Sequence, residues 1–210
     1  RMRLRLNRVP PIFLTKVEVE ENKALRLACV GETDYERALT TYRNDNGKPP
    51  LNAALEAKDE DAAEALLDGG DDPNEVDGLR YNALHRAAEK GCRLPLFHRI
   101  LGMIHNVNAG DNEGSTALIL AAANDHLDMV VSLMNHPGID LNVQNRYNWT
   151  ALHYAAANNR PAILAQLVSD DRVDTSLKDK YTNDTLLKKA IDYGKDECAK
   201  ILREHGAPEE

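Results

Sequence analysis

Apolar residues recur along the chain in one pattern, a leucine followed three residues later by an alanine. The leucines are Leu51, Leu84, Leu118 and Leu152, and the alanines are Ala54, Ala87, Ala121 and Ala155. Successive leucines are 33, 34 and 34 residues apart. A fixed period of this length is typical of stacked helical repeats, in which each unit buries its apolar face against the next.

Within one period the apolar positions predict two short amphipathic helices. Thr116 begins the first helix of the third copy, and Leu118 and Ala121 lie on one of its faces. Asn124 ends that helix, and the apolar residues of segment 127–134 form the face of the second. Spacings of three and four residues are those of a helix stripe. Helices of this length are marginal in water alone, so stacking between copies must supply the burial.

The same segments resemble the ankyrin repeat. The resemblance rests on the Thr-Ala-Leu-His motif at 150–153, on the repeat ending at 66–74 and on the turn at 111–116. It covers roughly residues 21–208 and implies an all-α solenoid of helix-turn-helix units with hairpin-like turns. It indicates about four clear repeats plus a degenerate N-terminal one. The Trp, Gly and Tyr landmarks of tetratricopeptide repeats, which share the period, are missing.

The two ends of the array depart from this pattern. Leu25 and Ala28 look like the remnant of a first repeat, and only 26 residues separate Leu25 from Leu51, so the second helix of that repeat is expected to be short, at about 34–42. The last copy runs from 185 to 208. Its lysines predict a polar cap that shields the apolar core: Lys188, Lys189, Lys195 and Lys200.

Two prolines fall inside predicted second helices. Pro95 and Pro161 are expected in the first turn of their helices, where a missing N–H costs little.

Residues 1–20 form a separate segment ahead of the repeat domain, which we assign to residues 21–210. Arg1, Arg3 and Arg5 alternate with apolar residues, a period of two that favours an extended strand. Two interpretations remain open. The segment covers the apolar end of the first repeat, or it is a basic arm that lies in an acidic groove of its own chain or of a neighbour.

Charge and cysteine content narrow the class of partner. The chain has 210 residues and a net charge of −8, which argues against a nucleic-acid-binding surface as the main function. The first 20 residues carry +3 and the remainder −11, so a protein partner with a basic patch is expected. No apolar run reaches the length of a membrane span. Three widely spaced cysteines favour a reducing compartment, so we expect a protein of the cytoplasm or nucleus. We also expect the protein to be a monomer.

The resemblance implies a binding surface made of turn tips and first helices, which form a concave face in ankyrin arrays. Five of the eight Trp and Tyr residues fall at such positions, and Trp, Tyr and Arg often anchor interfaces. The candidate partner-binding residues are Leu79, Arg80, Tyr81, Asn112, Glu113, Ser115, Arg146, Tyr147, Trp149, Tyr154, Asn158 and Tyr181. Glu89, Lys90 and Asn124 are expected to face the same groove. The predicted centre is Arg146, Tyr147, Trp149 and Tyr154, although Trp149 and Tyr154 also suit simple packing against a neighbouring turn.

Residue patterns for catalysis are weak. His85 and His153 occupy the motif histidine and are expected to hydrogen-bond turn backbone, and Asp125-His126 lacks a third group for a nucleophile or metal site. We therefore expect no catalytic residue, metal or cofactor. The sequence predicts a non-enzymatic scaffold or adaptor that binds another protein. The alternatives are a stoichiometric inhibitor of a kinase or transcription factor and, less favoured, the interaction domain of a larger enzyme.

Overall fold

The computed structural model describes residues 33–42 and 47–209, and this part of the chain contains eleven helices and no strand. They are α1 (Asp34–Tyr42), α2 (Pro50–Glu56), α3 (Glu60–Gly69), α4 (Ala83–Lys90), α5 (Leu94–Leu101), α6 (Ala117–Ala123), α7 (Leu127–Met134), α8 (Ala151–Ala157), α9 (Pro161–Val168), α10 (Leu186–Asp192) and α11 (Asp196–Glu204). The predicted all-α solenoid is confirmed.

The helices from α2 onward form five pairs, the last of them in the copy predicted as the cap, and α1 precedes them. The first helices of successive pairs contact one another, and the second helices from α5 onward form a parallel row. The repeated leucines and alanines are at most 2% exposed and belong to one continuous core. Burying each such leucine contributes roughly 2 kcal/mol. A single helix pair does not bury these leucines by itself, so this stabilisation depends on the neighbouring pairs.

Helix α1 occupies the range expected for the second helix of an abbreviated repeat and packs against α2 and α3. Leu25, Ala28 and the segment 1–20 lie outside the described residues, so the two interpretations of that segment both remain predictions.

Local chemistry sets where the helices begin and end. The side chains of Thr116 and Thr185 accept hydrogen bonds from the first turns of α6 and α10, as N-cap residues do. Pro95 and Pro161 lie in the first turns of α5 and α9, as predicted. Between the two helices of each pair stands one residue with positive φ, at positions 58, 91, 125, 159 and 194. The chain therefore reverses through a left-handed residue in all five pairs.

Each of the four turn tips before α4, α6, α8 and α10 is built around one buried side-chain oxygen. Oδ1 of Asp111 accepts the backbone N–H groups of Glu113 and Ser115, both at 2.8 Å. Equivalent oxygens belong to Asp77, Asn145 and Asp179, and each accepts two N–H groups of its own turn. The recurring polar residue before each first helix therefore organises the tip.

Neighbouring tips are joined by backbone hydrogen bonds. The N–H of Asn112 donates to the Leu79 carbonyl at 3.0 Å, and the N–H of Arg146 donates to the Glu113 carbonyl at 2.8 Å. The N–H of Lys180 donates to the Tyr147 carbonyl at 3.1 Å. This tip ladder fixes the distance and register between side chains that are about 34 residues apart.

A second ladder joins the loops at the opposite edge. Asn108 Nδ2 donates to the Gly138 carbonyl at 2.8 Å, and its Oδ1 accepts the N–H of Asp140 at 2.9 Å. Asn74 and Asn142 bridge their own neighbouring loops in the same way. The 34-residue recurrence of these asparagines therefore has a structural cause.

We expect the oxygen of Asp111 to matter more than its charge. Asp111→Ala leaves the buried N–H of Ser115 and the partly buried N–H of Glu113 without this acceptor, and should lower the free energy of unfolding by about 2 kcal/mol. Asp111→Asn keeps the acceptor, as Asn145 does naturally, and should cost less than about 1 kcal/mol. Urea unfolding measures both variants. Equal losses in the two variants would contradict this account of the tip.

Candidate functional site

The tips and the exposed sides of the first helices form one continuous surface, which we call the groove face. In two repeats the side chain just before the first-helix N-cap stands beside the side chain four residues after that N-cap. This neighbourhood brings together Trp149 with Tyr154, and Tyr81 with Arg86. The groove face therefore holds two separate aromatic clusters.

The cluster around Trp149 is half-buried and closely packed. The Trp149 ring meets the Tyr154 ring edge-on at 5.0 Å between centroids and stacks on His153 at 6.2 Å. Tyr154 Oη accepts a hydrogen bond from Asn145 Nδ2 at 3.1 Å. Trp149 and Tyr154 thus stabilise the tip as well as present a surface, so the packing role considered from the sequence is real.

Lys189 completes this cluster and was not among the predicted binding residues. Its ammonium lies 5.8 Å from the Trp149 centroid and 5.9 Å from that of Tyr193, and 2.9 Å from Asp179 Oδ2. Its side chain is 12% exposed, unlike a solvated lysine of a polar cap. Burial alone raises the pKa of Asp179, but hydrogen bonds from Thr182 and Lys189 outweigh it and hold that pKa below its usual range.

Two tyrosines are more accessible and lie on adjacent tips. Tyr147 is 38% exposed and Tyr181 is 73% exposed, with ring centroids 6.2 Å apart. The Tyr147 hydroxyl donates to Glu113 Oε2 at 3.0 Å, and the Arg146 guanidinium lies 3.7 Å from Glu113 Oε1. The predicted centre is therefore split into a packed pair, Trp149 and Tyr154, and an exposed pair, Arg146 and Tyr147.

The second cluster surrounds Arg86, another residue that the sequence did not single out. Its guanidinium lies 4.3 Å from the Tyr81 centroid and forms ion pairs with Asp77, Glu89 and Glu56. Burial raises the pKa of Tyr81 to about 12, and the negative charges of Asp111 and Glu89 add to the shift. The spacing of four residues from the N-cap, shared with Tyr154 and Lys189, is the signal that identifies Arg86.

The remaining predicted residues are distributed along the same face. Leu79 and Arg80 are exposed, and Asn112 Nδ2 donates to the Gly78 carbonyl at 3.0 Å. Asn158 is exposed and donates to the Ala123 carbonyl at 3.0 Å. Glu89 and Lys90 are half-buried, and Asn124 is exposed. Ser115 is buried beneath its tip at 6% exposure, so its hydroxyl serves the packing of the tip and we leave it out of the proposed surface.

The motif histidines have structural partners. His85 Nδ1 accepts from the Asn82 N–H at 3.3 Å, and Nε2 lies 2.9 Å from the Ala109 carbonyl. His153 Nδ1 accepts from the Thr150 N–H at 3.2 Å. Both contacts confirm the expected hydrogen bonds to backbone. In the described part of the chain, no group of three His, Cys, Asp or Glu side chains could hold a metal ion.

These features define a helical-repeat protein whose accessible surface is built from stacked turn tips. The chain belongs to the ankyrin-repeat family, because the family model for ankyrin repeats matches residues 84–179 and 143–209, more than half of the sequence. Ankyrin repeats mediate binding between proteins and are typically non-enzymatic, and this chain is such an interaction module.

Among known proteins, the chain is similar to NF-kappa-B inhibitor alpha. It is 31% identical to the Sus scrofa protein over 137 residues and 30% identical to the Homo sapiens protein over 143 residues. Each match covers 63% of this chain but 43% of the relative's length. Among the described residues, no helix has the length and apolarity needed to cross a membrane.

Stability should depend on pH through His153. Burial lowers its pKa to about 4 from the ordinary 6.5, with Asp179 opposing and Lys189 adding to the shift. The unfolded chain therefore binds more protons between these values, so the free energy of unfolding falls as pH is lowered through that window. The loss from this group should be about 2 kcal/mol between pH 7 and pH 5.

The variant His153→Gln tests this, because glutamine retains the capping interaction with Thr150 but does not titrate. Between the two pH values, the free energy of unfolding measured with urea should change less in His153→Gln than in the wild type. The control His105→Gln, at an exposed histidine, should show the same change as the wild type. If the free energy of unfolding of His153→Gln depended on pH as steeply as that of the wild type, the assignment to His153 would be wrong.

A separate prediction concerns the strained backbone at Arg80. Its φ is 62°, and the equivalent tip positions hold Gly114, Asn148 and Asn183, which adopt positive φ more readily. Arg80→Gly should therefore raise the free energy of unfolding by on the order of 1 kcal/mol. Asn148→Gly is the matched control and should change it less. Urea midpoints decide the matter, and a destabilised Arg80→Gly variant would contradict the argument.

Proposed function

We propose that this chain is a scaffold or adaptor that binds a partner protein through its tips and first helices, the concave face of ankyrin arrays. The observation that carries the proposal is the Tyr147–Tyr181 pair. Both rings are exposed, yet the backbone bond between Lys180 and Tyr147 holds their tips in register. Two rigid, exposed aromatic side chains bind a partner with little loss of conformational entropy.

The residues of the proposed surface differ in their roles. Leu79, Arg80, Arg146, Tyr147 and Tyr181 present exposed side chains, and Trp149 and Tyr154 are half-buried and pack against each other. Tyr81, Asn112, Glu113 and Asn158 complete the face.

The distribution of charge supports a partner with a basic patch. Residues 47–79 contain ten acidic and two basic residues, a net charge of −8 in the first full repeat. Several of these carboxylates are well exposed, including Asp61 and Asp68 of α3, which also pair with Arg93 and Arg99. We propose a monomer of the cytoplasm or nucleus that contacts its partner protein directly, without nucleic acid, membrane, metal or cofactor.

The second candidate is a stoichiometric inhibitor or regulator of a kinase or transcription factor. The similarity to NF-kappa-B inhibitor alpha favours it, since that relative is named as an inhibitor. The same surface serves both functions, and an inhibitor differs only in that its partner loses an activity when bound.

The double variant Tyr147→Ala/Tyr181→Ala tests the surface. Partner proteins retained on the immobilised wild-type chain should bind the variant about tenfold more weakly, equivalent to about 1.4 kcal/mol. The urea midpoint should stay nearly unchanged, because both rings are exposed. The control is Met103→Ala, at an exposed apolar residue on the opposite loop edge.

Titration of each retained protein against the three chains gives the affinities. Equal affinity for the double variant and the Met103 control would reject the groove face as the binding surface. A retained transcription factor that loses DNA binding when titrated with the wild-type chain would establish the inhibitor function.

A further inference from the structure

The last two tips carry a charge opposite to that of the chain as a whole. We call this surface the C-terminal tip patch and define it by Arg146, Tyr147, Lys178, Lys180 and Tyr181. It has three cationic and two aromatic side chains, and Asp179, which stands between the two lysines in sequence, is buried and paired with Lys189. The backbone bridge between Lys178 and Thr185 and the hydrogen bond from Lys180 to Tyr147 hold the patch on the framework.

The cations of this patch are available to a partner. Lys178 and Lys180 form no ion pair with any residue in the ranges 33–42 and 47–209, and Lys180 is exposed. Arg146 is 65% exposed and approaches Glu113 only to 3.7 Å. A loose pair at this exposure contributes little, so the guanidinium can exchange it for another carboxylate.

Nearby acidic side chains already have partners. Asp179 is buried and paired with Lys189, and Asp184 is paired with Lys188. Glu113 accepts the Tyr147 hydroxyl. The lysines that pair with Asp179 and Asp184 lie outside the patch, whereas Glu113 offsets part of the charge of Arg146, so the excess positive charge of the two tips belongs to Lys178 and Lys180.

Resting on the function proposed above, we propose that the C-terminal tip patch binds an acidic segment of the partner protein that also carries apolar side chains. The tyrosine pair accepts the apolar groups, and the three cations accept carboxylates along the two tips. The array then carries an acidic first full repeat toward one end and this basic patch toward the other.

A nucleic acid fits this surface less well. Phosphates repeat along every nucleotide, and a strand longer than the patch would approach the rest of a chain whose net charge is −8. An acidic protein segment confines its negative charge to the patch.

The test uses the full chain and three fluorescent probes of equal length. They are a dodecapeptide of Glu, Asp, Leu and Tyr, a matched dodecapeptide in which Lys replaces the acidic residues, and an oligo-dT 12-mer. Fluorescence anisotropy at low salt should show binding of the acidic peptide. Affinity should fall on raising the salt concentration, because exposed charges are screened.

Charge reversal locates the site. The double variant Lys178→Glu/Lys180→Glu should lower the affinity for the acidic peptide at least tenfold, and Lys180→Arg should preserve that affinity. The control Lys200→Glu, at a side chain 74% exposed on α11, should also leave the affinity unchanged. Failure of the acidic peptide to bind overturns the proposal, as does equal loss in the Lys200 control. Stronger binding of the Lys peptide or of oligo-dT also overturns it.

The two proposals fail separately. If the double tyrosine variant loses a partner that Lys178→Glu/Lys180→Glu still binds, the acidic-segment proposal is wrong and the proposed binding surface stands. A partner insensitive to the tyrosines would reject the surface itself.

Discussion

The hydrogen bonds accepted by one side-chain oxygen in each tip are the interaction on which the rest of this structure depends. A turn that reverses without forming a strand leaves its backbone N–H groups without regular partners, and burial makes that costly. Asp77, Asp111, Asn145 and Asp179 supply the acceptors within the turn itself. Each tip therefore has one conformation, and it stacks on the next in a fixed register.

This arrangement separates stability from recognition. Leucines and alanines of the first helices are buried between repeats, and the asparagine ladder closes the opposite edge. The more exposed a side chain at a tip is, the less it contributes to the packing that holds the repeats together. Tyr181 contributes almost nothing to burial, whereas Trp149 and Tyr154 belong partly to both roles.

Most of the fold was predictable from local patterns. The 34-residue period, the helix stripes, the prolines at 95 and 161 and the short helix at 34–42 all depend on residues close together in sequence. The candidate surface was predictable only as a set of positions. Ser115 and Lys189 show why exposure could not be predicted. Serine and lysine are usually exposed, but neighbouring repeats cover both of these side chains.

The sequence by itself determined the repeat, its helices and the approximate location of the binding surface, because periodicity and capping act over a few residues. Tertiary structure alone decided which side chains meet across repeats. The contact between Tyr147 and Tyr181, the approach of Lys189 to Trp149, and the approach of Glu56 to Arg86 depend on how one repeat stacks on the next. That register is set by backbone hydrogen bonds between residues about 34 positions apart, and no local pattern encodes it.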